Sequence, residues 1–178
     1  MRHMRTLCFA LAGAAAFTAS TGPADGQTSA LRGHNSNAPV DWSAERIEVQ
    51  DRADRVILSG GVVAKQAELT LTAARVTVAY SNTSGIQINR MDASGGVTVR
   101  TPGESARGDF AIYDLDRKLI TLIGGVSLVQ KDATVKGGRL TIDLDSGRAV
   151  MDGGGPPGTT NQGGRVTGTF TVPQRRGG

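Results

Sequence analysis

Four aspartates stand in two matching triplets, Asp114-Leu115-Asp116 and Asp143-Leu144-Asp145, 29 residues apart. Paired carboxylates can ligate a hard cation or divide acid and base roles between them. Their neighbours argue for a plainer role. "DLDRK" and "DLDSGR" follow β-rich runs and read as hairpin ends, where an Asp side chain bonds local backbone. The chain has two histidines, His3 and His34, and neither stands in a context that builds a Ser–His–Asp arrangement. Its one cysteine, Cys8, lies in an apolar leader, so a chain processed beyond it has no thiolate chemistry. Zinc-binding spacings and phosphate-cradling glycine loops do not occur. These residue types point away from catalysis, and no enzyme activity, cofactor or metal is expected.

The elements that would hold such residues repeat with a period of two. "RIEV", "ELTLTA", "RVTVAY", "GIQIN", "GVTVR", "DFAIY", "GVSLV" and "RLTIDLD" all alternate, and β-branched residues dominate them. No long window keeps a helical apolar stripe. The reading is all-β. Doubled glycines punctuate these runs at Gly60–Gly61, Gly95–Gly96, Gly124–Gly125 and Gly153–Gly154 and mark four bends. The last two steps are 29 residues each, room for a pair of strands with their turns. Glycine at a bend lets a strand turn a corner without a Cβ clash.

Residues 1–26 read as a cleavable signal peptide. Arg2 and Arg5 precede the short apolar run "LCFALAGAAAF", and small residues follow between Ala19 and Ala30. The run is too short to span a bilayer. Residues 27–40 are a polar, loose lead-in, 41–152 the folded domain, and 153–178 a Gly/Pro-rich tail with a short strand at 165–172. From Arg32 to Asp152 there are 15 Lys and Arg against 15 Asp and Glu. That balance lacks the basic face of a nucleic-acid partner, and none is expected.

One phase of the alternating runs is aliphatic and the other mostly polar, so one face is wet and one apolar. Two packings satisfy this pattern. Facing sheets can fill the space between them, giving a ligand-free structural β-solenoid or assembly module. They can also stand slightly apart and leave a dry groove for acyl chains, at roughly 0.8 kcal/mol per buried methylene.

The order of the phrases carries a resemblance. "NSNAPVDWSAERIEVQDRADRVILSGGVVAKQAELTLTAARVTVAY", "IQINRMDASGGVTVRTPGESARGDFAIYD", "LITLIGGVSLVQKDATVKGGRLTIDLDSGRAVMDGG" and the late "RVTGTFTVP" together resemble the LptA/OstA family of periplasmic lipopolysaccharide-transport proteins. The chain departs from the family pattern at Gly61, Gly96 and Gly125, at the Gln66–Ala67 turn and at Trp42. The resemblance implies a twisted, half-open antiparallel β-jellyroll built from repeated strand pairs. Val49, Leu58, Leu71, Val78, Phe110, Ile112, Leu122, Leu128, Leu140 and Ile142 would then line a channel for the acyl chains of lipopolysaccharide or a related glycolipid. The edges around Ile47 and from Leu144 to Val150 would pair with an inner-membrane LptC-like protein, an outer-membrane LptD-like protein, or another copy head to tail. The compartment implied is the periplasm.

Overall fold

Aliphatic residues at every second position fall on one side of a pleated strand, which is the conformation that buries them together. In the computed structural model, which describes residues 34–83, 85–154 and 164–171, these runs form ten strands. The expected signal peptide and Cys8 lie outside the described residues. The strands are β1 (Val40–Ser43), β2 (Arg46–Gln50), β3 (Arg55–Gln66), β4 (Leu69–Ser81), β5 (Gln87–Arg100), β6 (Glu104–Asp114), β7 (Leu119–Gln130), β8 (Ala133–Asp143), β9 (Ala149–Asp152) and β10 (Thr167–Phe170). β3 to β8 make an antiparallel meander. β1 and β2 both pair with β3, and β9 and β10 both pair with β8, so the sheet does not close.

The glycine pairs explain how one strand serves two neighbours on the same side. Gly60–Gly61, Gly95–Gly96 and Gly124–Gly125 sit inside β3, β5 and β7, all with positive φ. The pairing register shifts at each of them. A bulge bends a strand and the ladder resumes beyond it. The bends therefore lie within long strands, not between short ones as the sequence pattern suggested; Gly153–Gly154 alone follows a strand end. They divide the meander into two wings. The front wing holds β2, β9 and residues 55–59, 75–79, 90–94, 110–114, 119–123 and 139–143. The back wing holds β1, β10 and residues 62–66, 69–73, 97–100, 104–108, 126–130 and 133–137.

The two wings share one core. Leu58, Val76, Leu122, Leu140 and Ile142 of the front wing join Val62, Leu71, Val97, Val126 and Leu128 of the back wing in a single buried cluster. Leu122 and Leu140 are 0% exposed, and each such burial is worth about 1.5–3 kcal/mol over leaving the side chain in water. Gln66 ties the wings together near one end. Its Oε1 accepts the Tyr113 hydroxyl at 3.3 Å, and its Nε2 donates to the carbonyls of Ser36 and Ala38 at 2.8 and 3.0 Å. His34 Nε2 lies 3.1 Å from the same Oε1. Residues 34–38 of the lead-in are thus pinned to the sheet rather than loose.

The bulges also reset strand parity. In β3, β5 and β7 the buried positions keep their parity across the glycine pair. In β4, β6 and β8 it changes: buried Ala73 is followed by buried Val76, Gly108 by Ala111, and Gly137 by Leu140. In β6 this change puts Ala111 and Tyr113 inside, and Phe110 and Ile112 on the outer face. Simple alternation from Ala106 had carried Phe110 and Ile112 into the interior; the bulge between Arg107 and Phe110 consumes one residue and reverses the assignment.

The aspartate triplets close hairpins. Asp114 Oδ1 accepts the Arg117 N–H at 2.9 Å, and Asp143 Oδ1 accepts those of Asp145 and Ser146, each at 2.9 Å. The Ser146 backbone N–H is the largest cause that holds the Asp143 carboxyl below its ordinary pKa, with the Arg148 charge acting the same way. A lowered folded-state pKa contributes stability above the unfolded value and loses it as pH falls through the folded one. Asp143→Asn should therefore lower the urea midpoint at neutral pH, with the gap to the parent closing below about pH 4. A gap that persists unchanged into acid would remove the carboxylate from this account.

Gly95 and Gly96 separate strain from clash. Both have positive φ, at 83° and 75°. A Cβ on Gly95 would come 2.6 Å from Ala74 Cβ, whereas one on Gly96 meets nothing within 4 Å. Gly96→Ala should cost about 1 kcal/mol from backbone strain, and Gly95→Ala clearly more. Equal losses in chemical denaturation would count against the packing half of the explanation.

Candidate functional site

β1 and β2 are short strands joined by Ala44 and Glu45, and the Glu45 N–H donates to the Gly60 carbonyl at 3.0 Å opposite the first bulge. Each is the last strand of its wing, so the inner faces of both wings end here without a covering neighbour. β1 alternates with Val40 and Trp42 inward, opposite Gln66 and Ala64. β2 alternates with Ile47 and Val49 inward, opposite Leu58 and Val56. Val78 and Tyr80 of β4, Ile88 and Met91 of β5, and Ile86 from the loop before β5 complete the wall. The result is an open cavity of about 360 Å³, apolar except for Asp51 at its rim.

Its large side chains are unusually wet. Trp42 is 51% exposed, Val49 56% and Ile86 74%, and Ile47 is exposed beside them. Single exposed aliphatics need no explanation, but a contiguous apolar patch rimmed by polar groups marks a place where something docks. The polar equipment is slight. The Tyr80 hydroxyl donates to Asp51 Oδ1 at 3.4 Å. Desolvation raises the phenol's pKa, and the charges of Asp51 and Asp54 push it the same way, so the group stays protonated. Nothing in this lining transfers a proton near neutral pH. Among the described residues no cluster of His, Cys, Asp and Glu could hold a metal ion. The arrangement can bury methylenes; it is not built to react.

Of the ten residues expected to line a channel, the structure brings only three to this mouth. Val49 and Val78 line it directly, and Leu58 forms its floor. Leu71, Leu122, Leu128, Leu140 and Ile142 are buried in the filled core farther along. Phe110 and Ile112 are on the outside, where Phe110 is 45% exposed and shares a shallow depression with Arg75, Asp92 and Ile123. Four lining residues were missed: Val40, Trp42, Asp51 and Met91. Trp42 carried a signal, being larger than the side chain the family pattern leads one to expect there. Met91 carried none, because its parity is set by the irregular pairing of Tyr80 with Ile88.

The matched family model decides the identity. Residues 43–148 match the family described as "LptA/(LptD N-terminal domain) LPS transport protein". The chain belongs to this family. Its members are LPS transport proteins, not enzymes, and this chain has a role in LPS transport. The match spans β2 to β8 and with them the bulge line, the core and most of the mouth. An uncharacterized protein of Rhizobium meliloti (strain 1021) is 29% identical over 147 residues, covering 78% of this chain and 79% of its own length. The fold matches the crystal structure of LptH, described as the LptA homologous periplasmic component of the conserved lipopolysaccharide transport device from Pseudomonas aeruginosa. The TM-score is 0.69 at 17% identity, over 78% of this chain and 99% of that one. At that identity the likeness speaks for the β-jellyroll architecture.

The mouth and the core respond differently to mutation. Val78→Asp should weaken capture of an apolar dye at least about tenfold, because a carboxylate in the wall must be desolvated. Energy transfer from Trp42, the chain's single tryptophan, reads that capture. Leu140→Ala should cost about 2–5 kcal/mol of stability and leave dye affinity of the folded protein unchanged. The reverse pattern would move the binding site into the core.

Proposed function

We propose that this chain is a periplasmic bridge protein that takes lipopolysaccharide acyl chains into the mouth between β1 and β2 and passes the glycolipid from the inner-membrane complex towards the outer-membrane translocon. The observation that carries this reading is the apolar cavity at an open end of the jellyroll, flanked by two strands with unpaired edges. A mouth of this size shelters part of an acyl chain, at roughly 0.8 kcal/mol per buried methylene, while sugars and phosphates stay in water. The edges of β1 and β2 at one end, and of β9 and β10 at the other, present backbone donors and acceptors that a further strand can pair with. This supports edge pairing with an LptC-like protein on one side and an LptD-like protein, or a second copy, on the other. The family and the periplasmic description of LptH support the compartment.

The filled core favours a second reading, a ligand-free assembly module of the envelope. In-cell crosslinking separates the two. A photoreactive residue at Val49 or Val78 should capture lipopolysaccharide, and one at outward-facing Thr141 or Phe110 should not. Equal capture at all four positions, or none at the mouth, would leave only the assembly role standing.

A further inference from the structure

Met91 stands where the mouth stops. Its side chain is 5% exposed and forms the inner wall of the 360 Å³ cavity. It also bounds a second, small apolar void of about 20 Å³, lined by Ala64, Leu69, Leu71 and Tyr113. Val40 borders both spaces as well. From β2 to β5 the mouth crosses three strand spacings, about 14 Å, and beyond β5 the core is closed. Directly opposite Met91 in the ladder is Tyr113, which is held to Gln66 of the back wing by its hydroxyl. The order along the axis is therefore an open slot, one methionine, a void of about one water's size, and a tyrosine fastened across the wings.

From this order we infer that Met91 is the end-stop of the acyl slot and sets how long an acyl chain this protein accepts. The inference rests on the acyl-binding reading above. An unbranched thioether has three rotatable bonds and fills irregular space without locking it. Shortening it joins the small void to the mouth and carries the slot to Leu71. A larger, rigid ring at the same place shortens the slot. Tyr113 is a positioning residue: its bond to Gln66 keeps the wings at the spacing that makes Met91 the narrow point.

The test uses the soluble chain and a series of saturated fatty acids, from decanoate to hexadecanoate, each below its micelle concentration and read by Trp42 emission. For the parent, affinity should rise with chain length and then level off. Met91→Ala should move the levelling point to longer chains, raising hexadecanoate affinity relative to dodecanoate by about tenfold, as expected for two more buried methylenes. Met91→Phe should move it to shorter chains, and it decides the matter by itself if the alanine variant proves unfolded by circular dichroism. Folded variants that bind and level off where the parent does would overturn the end-stop. A parent that binds no chain of any length would instead overturn acyl binding itself, and the end-stop with it.

Discussion

A strand that serves two sheets has to bend without giving up its hydrogen-bonded ladder. In this chain the bend is made by paired glycines at positive φ, in the middle of β3, β5 and β7. Residues with a Cβ resist that conformation, and at Gly60, Gly95 and Gly124 an added Cβ would also strike a neighbouring side chain. Because the bulges fall in line across the sheet, one meander becomes two wings facing each other. Burial of both inner faces follows from that fold line, and so do the split edge strands at either end.

The same geometry explains why one end is empty and the middle is full. Over β4 to β8 every inner face has a neighbour on both sides and a wing across from it, and aliphatic side chains close the space. At β1 and β2 the neighbours run out. The outward side of each strand is left to solvent, and Trp42, Ile47 and Val49 have nothing of this chain to complete their burial. The apolar cost of that exposure is tolerated in a protein whose family moves a glycolipid, since a transient occupant can cover the patch. Gln66 limits how far the emptiness extends. Fully buried with its amide satisfied by Ser36, Ala38 and Tyr113, it holds lead-in, back wing and front wing together just behind the mouth.

Much of this was legible in the residues. Period-two alternation and β-branched content gave all-β architecture, since only a pleated strand turns such a pattern into a one-sided apolar face. The balanced charge argued against a nucleic-acid partner, and the turn chemistry around Asp114 and Asp143 matches the N–H bonds these carboxylates accept. Leu58, Leu71, Leu122, Leu140 and Ile142 were read as inward, and they are. Phe110 and Ile112 were not legible, because β6 has apolar residues at both parities and only the bulge decides which pair goes inside.

Local pattern, then, determined the strands, their turns and the apolar character of one face, because alternation and glycine conformation act within a few residues. Tertiary structure decided the rest. Which parity faces inward depends on how many residues a partner strand spends at each bulge, and whether apolar side chains enclose a cavity depends on what stands across from them in the other wing. Val49 and Leu122 are both apolar residues on inward strand positions; one is half in water and the other is sealed, because one lies in an edge strand and the other under a second sheet.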